Sequence, residues 1–463
     1  MEAAELRAKR APYTALSAHQ LCSVLLCPRA RERTVDKVAT NGSFAQQETL
    51  PSFPADEFSS ASPRKLSPKR PAVEKAGLAD VFPYYAGFAF EWARSRLLSL
   101  DLRESALVLD PWNGSGTTTL AAQTAGINSI GIDLNPVANK VAQLRTGLDA
   151  DLANPLSPPR KSSRKPSSSD ALLAWFDVST VARLRDWTSS FAVARAADSS
   201  LGYVALFRVV RRRSKKFEGS NPTWVKRCRT PEDLVRVSSK ELDEEIYQEQ
   251  EFILERLASA PDRSRPTLVL TASATNMPLQ NNSVDAVLTS PPYLTRIDYA
   301  VAYARELAVL GIDIDGDRSL RRALMGTTLT RPTQVDNFNH LADVSKDLLK
   351  AVAAHSSKAS SGYYLKQAQQ YLCDLTDGLQ EITRVSRSGA HMMLVVQDSY
   401  YKDVSVPLAD ICIAESKLRG WELVGREAFP VKRTLTALNT PARVYKKGDV
   451  AETVIKFRSV HNG

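Results

Sequence analysis

The stretch ALVLDPWNGSGTTT at 106–119 decides how this chain is read. Residues 106–110 form an apolar run ending in a carboxylate, LAAQTAGI at 120–127 has helical character, and NSIGIDL at 128–134 is a second short apolar run. Strand, glycine loop, helix, strand is the repeating unit of an open α/β sheet, which binds its ligands at the carboxyl ends of the strands. Gly114 and Gly116 let the backbone approach a ligand closely, while Thr117 and Thr118 offer hydroxyls and the N–H groups of a helix N-terminus. Asp133 lies 19 positions beyond Gly114, where dinucleotide-binding folds keep the carboxylate that holds a ribose. The loop nevertheless departs from G-x-G-x-x-G, since it has no third glycine. Asp110 just before it would repel a pyrophosphate and suits a cationic group. An adenosyl sulfonium carrying an ammonium meets both conditions.

A second motif follows another apolar run. In DAVLTSPPY at 285–293, Ser290, Pro291, Pro292 and Tyr293 fall at the carboxyl end of a strand, on the same rim of the sheet as the glycine loop. Consecutive prolines remove two donors and fix φ, which leaves rigid carbonyls as acceptors for an exocyclic amine. Tyr293 adds a flat face for a base removed from its stack, an interaction worth about 1–3 kcal/mol. A plain Ser-Pro-Pro turn is the alternative when this motif is taken alone; the glycine loop upstream favours the chemical reading.

Together the two motifs resemble the amino-group DNA methyltransferases that use S-adenosylmethionine. Asp110-Pro111-Trp112-Asn113-Gly114-Ser115-Gly116-Thr117-Thr118 is similar to the family's D-P-F-x-G-x-G-T-T, and Thr289-Ser290-Pro291-Pro292-Tyr293 to its catalytic (D/N/S)-P-P-(Y/F). The resemblance covers roughly 80–150 and 265–460. It implies an α/β fold, a Rossmann-like class I methyltransferase sheet, with S-adenosylmethionine held by Tyr84, Asp110, Trp112, Gly114, Gly116, Thr117, Thr118 and Asp133. FPYYAGF at 82–88 looks like the segment that closes over the cofactor's methionine end, and Arg384–Gly389 like the turn before the fifth strand. Ser290, Pro291, Pro292 and Tyr293 are the implied catalytic residues, and a Ser at the first position favours cytosine N4 over adenine N6. Ser273 stands where the family usually keeps an acid against the cofactor's adenine. The competing readings are an adenine-N6 enzyme, an RNA methyltransferase of the guanine-N2 type, and a non-catalytic nucleic-acid-binding module, the last prompted by Ser273.

The expected chemistry is direct transfer to an amine made more tetrahedral by acceptors at Ser290 Oγ and the Pro291 carbonyl, with the base flipped out of duplex DNA. Methylation at C5 would need a thiolate, and none of the five cysteines (22, 27, 228, 373 and 412) occupies a Pro-Cys strand end; Cys27 precedes Pro28.

Outward from these motifs, residues 1–75 are rich in Ser, Pro, Ala and charge without period, and read as a disordered arm. Residues 76–150 are the first part of the methyltransferase domain. FPYYAGFAFEWARSRLLSL at 82–100 reads as an amphipathic helix, with Phe90, Ala93, Leu97 and Leu98 at helical spacing. Residues 151–262 are a Pro/Ser/basic linker and a helical insertion, and 263–463 complete the sheet. With 61 Lys+Arg against 51 Asp+Glu the formal charge is +10, which suits a polyanionic partner. The densest basic run lies in the insertion, where Arg211, Arg212, Arg213, Lys215, Lys216, Lys226 and Arg227, interleaved with Trp224, are the candidate contacts to double-stranded DNA. The odd, scattered cysteines and five histidines point to a reducing compartment and no metal. No apolar run is long enough for a membrane span and the N-terminus lacks a secretory core, so a cytoplasmic location is expected, in a restriction-modification or phage-defence setting with a restriction or defence protein as companion.

Overall fold

The computed structural model describes residues 67–68, 77–84, 87–147, 153–219, 224–260, 263, 265–294, 297–331, 338–430 and 450–460. Nearly all of the arm expected at 1–75 lies outside the described residues. Seven strands form the central sheet: β1 (Leu107–Asp110), β2 (Asn128–Asp133), β3 (Thr267–Thr271), β4 (Val284–Thr289), β5 (Ser386–Gln397), β8 (Trp421–Pro430) and β9 (Ala451–Ser459), in spatial order β3-β2-β1-β4-β5-β9-β8. A small hairpin of β6 (Ser399–Tyr401) and β7 (Val404–Val406) follows β5. Strands β1 to β5 pair in parallel, whereas β9 is antiparallel to β5 and to β8. This is a Rossmann-like α/β sheet, and its strand order reverses between β1 and β4, the position where open sheets of this kind leave a crevice.

Burial explains the apolar runs. Leu107 and Leu109 join one core with Val287, Met392 and Leu394, beneath the long helix Leu365–Val385. Val108, Ala286, Leu288, Met393 and Val395 point to the opposite core, under the helices Phe90–Leu98 and Thr117–Thr124. Residues of the central strands β1, β4 and β5 thus face a core on both sides, which is why the sequence reads there as continuous apolar stretches. Two expectations change in detail. The helix begins only at Phe90, and its buried face is Trp92, Ala93 and Leu97, with Leu98 51% exposed. No turn separates Arg384 from the fifth strand: the 365–385 helix passes directly into β5, and Gly389, at φ +70°, falls where β5 slips register against β4.

Residues 153–260 contain three long helices, Val178–Ala192, Ala196–Arg213 and Ser239–Ala258, and no named strand among the described residues. Side-chain caps start two of them: Asp177 accepts from Thr180 N at 3.0 Å, and Ser238 accepts from Glu241 N at 3.2 Å. The Pro/Ser segment before them does not hang free. Leu156 exchanges two hydrogen bonds with the Gln250 amide, and Asn154 N donates to Asp198. The insertion shares one apolar core with the helix Pro136–Arg145 and with residues 300–309, so it is fused to the flank of the sheet.

Gly202 sets how closely the first two of these helices approach, because a Cβ there would overlap the Phe191 ring. Gly202→Ala is expected to lower stability by about 1–3 kcal/mol through overpacking, read as a fall in melting temperature with the far-ultraviolet dichroism of the folded state unchanged.

Candidate active site

The glycine loop is held at its root by carboxylates of the sheet. Asp110, the last residue of β1 and 3% exposed, accepts from Thr118 Oγ1 at 2.6 Å, Thr289 Oγ1 at 2.6 Å and Trp112 N at 3.1 Å. Asp133, the last residue of β2, accepts from Gly114 N at 2.8 Å and Asn135 N at 2.8 Å. Burial pushes both carboxyls up to about 6 against these hydrogen bonds, which favour the ionised form. Asn113 N donates to the Ile132 carbonyl, and Arg145, at the end of the 136–145 helix, donates to the carbonyl and hydroxyl of Ser115. The loop is therefore fixed at several points before any ligand arrives.

The Ser290-Pro291-Pro292-Tyr293 motif emerges from β4, the neighbour of β1. Ser290 Oγ lies 3.4 Å from Tyr293 Oη, and Tyr371 Oη donates to the Pro292 carbonyl at 2.9 Å, which ties the proline pair to the 365–385 helix. Ala323, Leu324, Met325 and Arg331 form a facing wall. There Gly326, at φ +77°, passes beside the Tyr293 carbonyl, and Arg331 grips Asp374 with two bonds of 2.6 and 2.8 Å.

A single cavity of about 390 Å³ joins the two motifs. Tyr84, Asp110, Trp112, Gly114, Thr117 and Asp133 line it from one side, and Ser290, Pro291, Pro292 and Tyr293 from the other. Tyr84 stacks on Tyr303, with ring centroids 4.8 Å apart and planes 9° apart, and a Cβ on Gly114 would come 3.0 Å from its ring. Burial, then the nearby Asp133, holds the Tyr84 hydroxyl well above its ordinary range. Trp112 lies over Gly378, where a Cβ would be 2.7 Å from the indole, and Ser273 and Thr275 close the cavity beyond β3.

Two of the expected cofactor residues sit elsewhere. Gly116 and Thr118 are buried beneath the loop and do not line the cavity. Gly116, at φ +83°, opens the 117–124 helix and allows close packing on Ala142, while the Thr118 hydroxyl, which donates to Asp110, also lies 3.0 Å from the Leu288 carbonyl. Residues absent from the sequence reading include Arg145, Tyr303, Tyr371, Arg331 and Asp374. Their partners are distant along the chain, and nothing local in the sequence signals those contacts.

The basic run divides. Arg211 donates to Glu306, whose side chain is fully buried, at 2.7 Å, and Arg212 and Arg213 pair with Glu241, Glu245 and Glu249 of the acidic 239–258 helix. Arg227 pairs with Asp315. These four guanidiniums pair with carboxylates of the same chain, with Arg211 largely buried and Arg212 and Arg227 still exposed. Lys215, Lys216 and Lys226 are exposed and form no ion pair among the described residues, next to Trp224 at 50% exposure. Among the described residues no helix is long and apolar enough to cross a membrane, and no group of three His, Cys, Asp or Glu side chains could hold a metal ion.

Residues 93–144, which contain the glycine loop, match the DNA methylase family model for N6 and N4 methyltransferases. The chain is 23% identical over 385 residues to the type II methyltransferase M.BsoBI of Geobacillus stearothermophilus, covering 70% of this chain and 75% of that protein. It is 20% identical over 372 residues to the type II methyltransferase M.AvaI of Nostoc sp. strain PCC 7120, covering 72% and 77%. The same figures hold for M.AvaI of Anabaena variabilis.

Removing Arg211 leaves Glu306 as a buried charge without its main partner, so Arg211→Ala is expected to destabilise the fold by roughly 3–5 kcal/mol. Denaturant titration measures this, and a loss below about 1 kcal/mol, the range of an exposed pair, would contradict the structural role assigned here.

Proposed function

We propose that this chain, an S-adenosylmethionine-dependent amino-group DNA methyltransferase, transfers its methyl group to N4 of a cytosine flipped out of duplex DNA. The observation that carries the reading is the common cavity, lined by the glycine loop on one side and by Ser290 to Tyr293 on the other. The residues present suit the cofactor. Gly114 lacks the Cβ that would fill the cradle beside Tyr84, Asp133 and Asn135 offer polar atoms at the end of β2, and Tyr84 and Trp112 supply apolar faces. Tyr84, Asp110, Trp112, Gly114, Thr117 and Asp133 are thus the proposed cofactor residues that line the cavity. When bound, the cofactor supplies an electrophilic methyl group on a sulfonium.

The chain's own residues act on the acceptor. The N4 lone pair of cytosine is delocalised into the ring, and Ser290 Oγ and the Pro291 carbonyl are the acceptors assigned to its N–H groups, drawing the nitrogen toward a tetrahedral shape. Tyr293 provides the face on which the extruded ring rests, and Tyr371 stiffens the turn by occupying the Pro292 carbonyl. Ser290 at the head of the motif supports cytosine over adenine. The relatives' designation as type II methyltransferases supports a restriction-modification setting.

Duplex binding is assigned to the exposed cations Lys215, Lys216 and Lys226, with Trp224 beside them. Each neutralised phosphate contributes about 0.9 to the salt slope. A Lys215→Gln, Lys216→Gln, Lys226→Gln triple variant is therefore expected to bind DNA more weakly and to flatten log K against log salt by up to about 2.7. An unchanged slope in fluorescence anisotropy would remove this surface from the DNA interface.

Mass spectrometry of nucleosides from DNA treated with the enzyme and cofactor should detect N4-methylcytosine. N6-methyladenine in its place would move the assignment to adenine. A Ser290→Ala, Tyr293→Ala double variant should lose transfer by at least about 100-fold while still binding cofactor. Wild-type activity in that variant would sink the proposed catalytic roles.

A further inference from the structure

At the point where β1 and β4 stop pairing, side chains take over from backbone. The ladder between the two strands consists of Val108↔Ala286 and Leu109↔Val287. Past it the chain turns into the glycine loop on one side and into Ser290 to Tyr293 on the other, and the crevice opens between them. Asp110 stands in that gap. It receives Thr289 Oγ1 from the strand leading into the catalytic motif and Thr118 Oγ1 from the helix behind the glycine loop, both at 2.6 Å. Thr118 also reaches back to the Leu288 carbonyl at 3.0 Å. All three side chains are buried; the Thr289 hydroxyl crosses from the second motif to Asp110, and the Thr118 hydroxyl ties the far end of the glycine loop to the same carboxylate while lying against the Leu288 carbonyl of the second strand.

We propose that Thr289 and Thr118 are positioning residues for methyl transfer, which clamp the roots of the two motifs onto the Asp110 carboxylate and so fix the distance from methyl donor to acceptor amine. The inference rests on the methyl-transfer reading above and adds residues that need touch neither cofactor nor base. Simple strand packing would not require both hydroxyls, because valine would fill the same space.

The charge state of Asp110 supplies an independent handle. Burial raises its carboxyl to about 6, and the Thr118 and Thr289 hydroxyls and the Trp112 N–H oppose that rise. Asp133, at the end of the adjacent β2, is the charged group that faces it and adds to the rise. Removing either hydroxyl removes a donor that favours the carboxylate, so the carboxyl must titrate at higher pH. The clamp in its ionised form is complete above that pH and lost below it.

The test compares wild type, Thr289→Val, Thr289→Ser and Thr118→Val in single-turnover methyl transfer to DNA from pH 5 to 9, with cofactor affinity measured by calorimetry on the same samples. Thr289→Val should transfer about 10- to 100-fold more slowly with cofactor affinity nearly kept, and the acid limb of its rate profile should move to higher pH. Thr289→Ser, which retains the hydroxyl, should recover most of the rate. A Thr289→Val enzyme with wild-type rate and acid limb would overturn the proposal, as would a Thr289→Ser enzyme no faster than Thr289→Val. If Thr289→Val fails to fold, the same comparison rests on Thr118→Val. A wild-type chain that binds cofactor but transfers no methyl to DNA would instead overturn the methyl-transfer reading on which the inference stands.

Discussion

One buried carboxylate holds the two halves of the site together. Asp110 ends the central strand, yet both of its oxygens are occupied by hydroxyls from elements brought in by folding, one of them 179 residues away in sequence. A charged group at 3% exposure is costly to bury unless its acceptors are satisfied, and the surrounding donors meet that condition. The pairing makes each motif depend on the other. The glycine loop cannot shift without disturbing the strand that carries Ser290, and this shared anchor keeps the two motifs facing one crevice.

The insertion alters what the basic composition means. Residues 208–213 are rich in arginine and the 239–258 helix in glutamate, and the two could serve separate purposes. In the fold they lie against each other, and the carboxylates of Glu241, Glu245 and Glu249 take up much of the charge of the 208–213 segment. Arg211 goes further, bridging to the buried Glu306 while lying over the Phe82 and Tyr303 rings. Because Tyr303 in turn stacks on Tyr84 at the cavity wall, the insertion buttresses that wall as well as carrying exposed lysines.

The second wall of the crevice comes from Ala323, Leu324, Met325 and Arg331. Asp298 accepts from Arg321 and Thr328, the Tyr363 hydroxyl donates to the Thr328 carbonyl, and Arg331 is locked onto Asp374. Irregular backbone fixed by side chains in this way makes a wall as definite as a helix face, and its hydrogen bonds satisfy polar groups that a regular element would pair internally.

The core strands, the glycine loop and the proline turn were legible in the chain itself, since apolar runs buried on both faces and residues demanded by backbone geometry leave local marks. Trp112, Gly114 and Ser290 could be singled out for the same reason. The fate of Gly116, Thr118 and Arg211 could not, because it depends on Ala142, Leu288 and Glu306, which approach only when the sheet closes. Sequence alone determined which chemical groups the protein carries at its strand ends. Tertiary structure decided which of those groups face the crevice and which are consumed in holding it open, because burial and pairing between distant residues are properties of the folded chain and have no local signature.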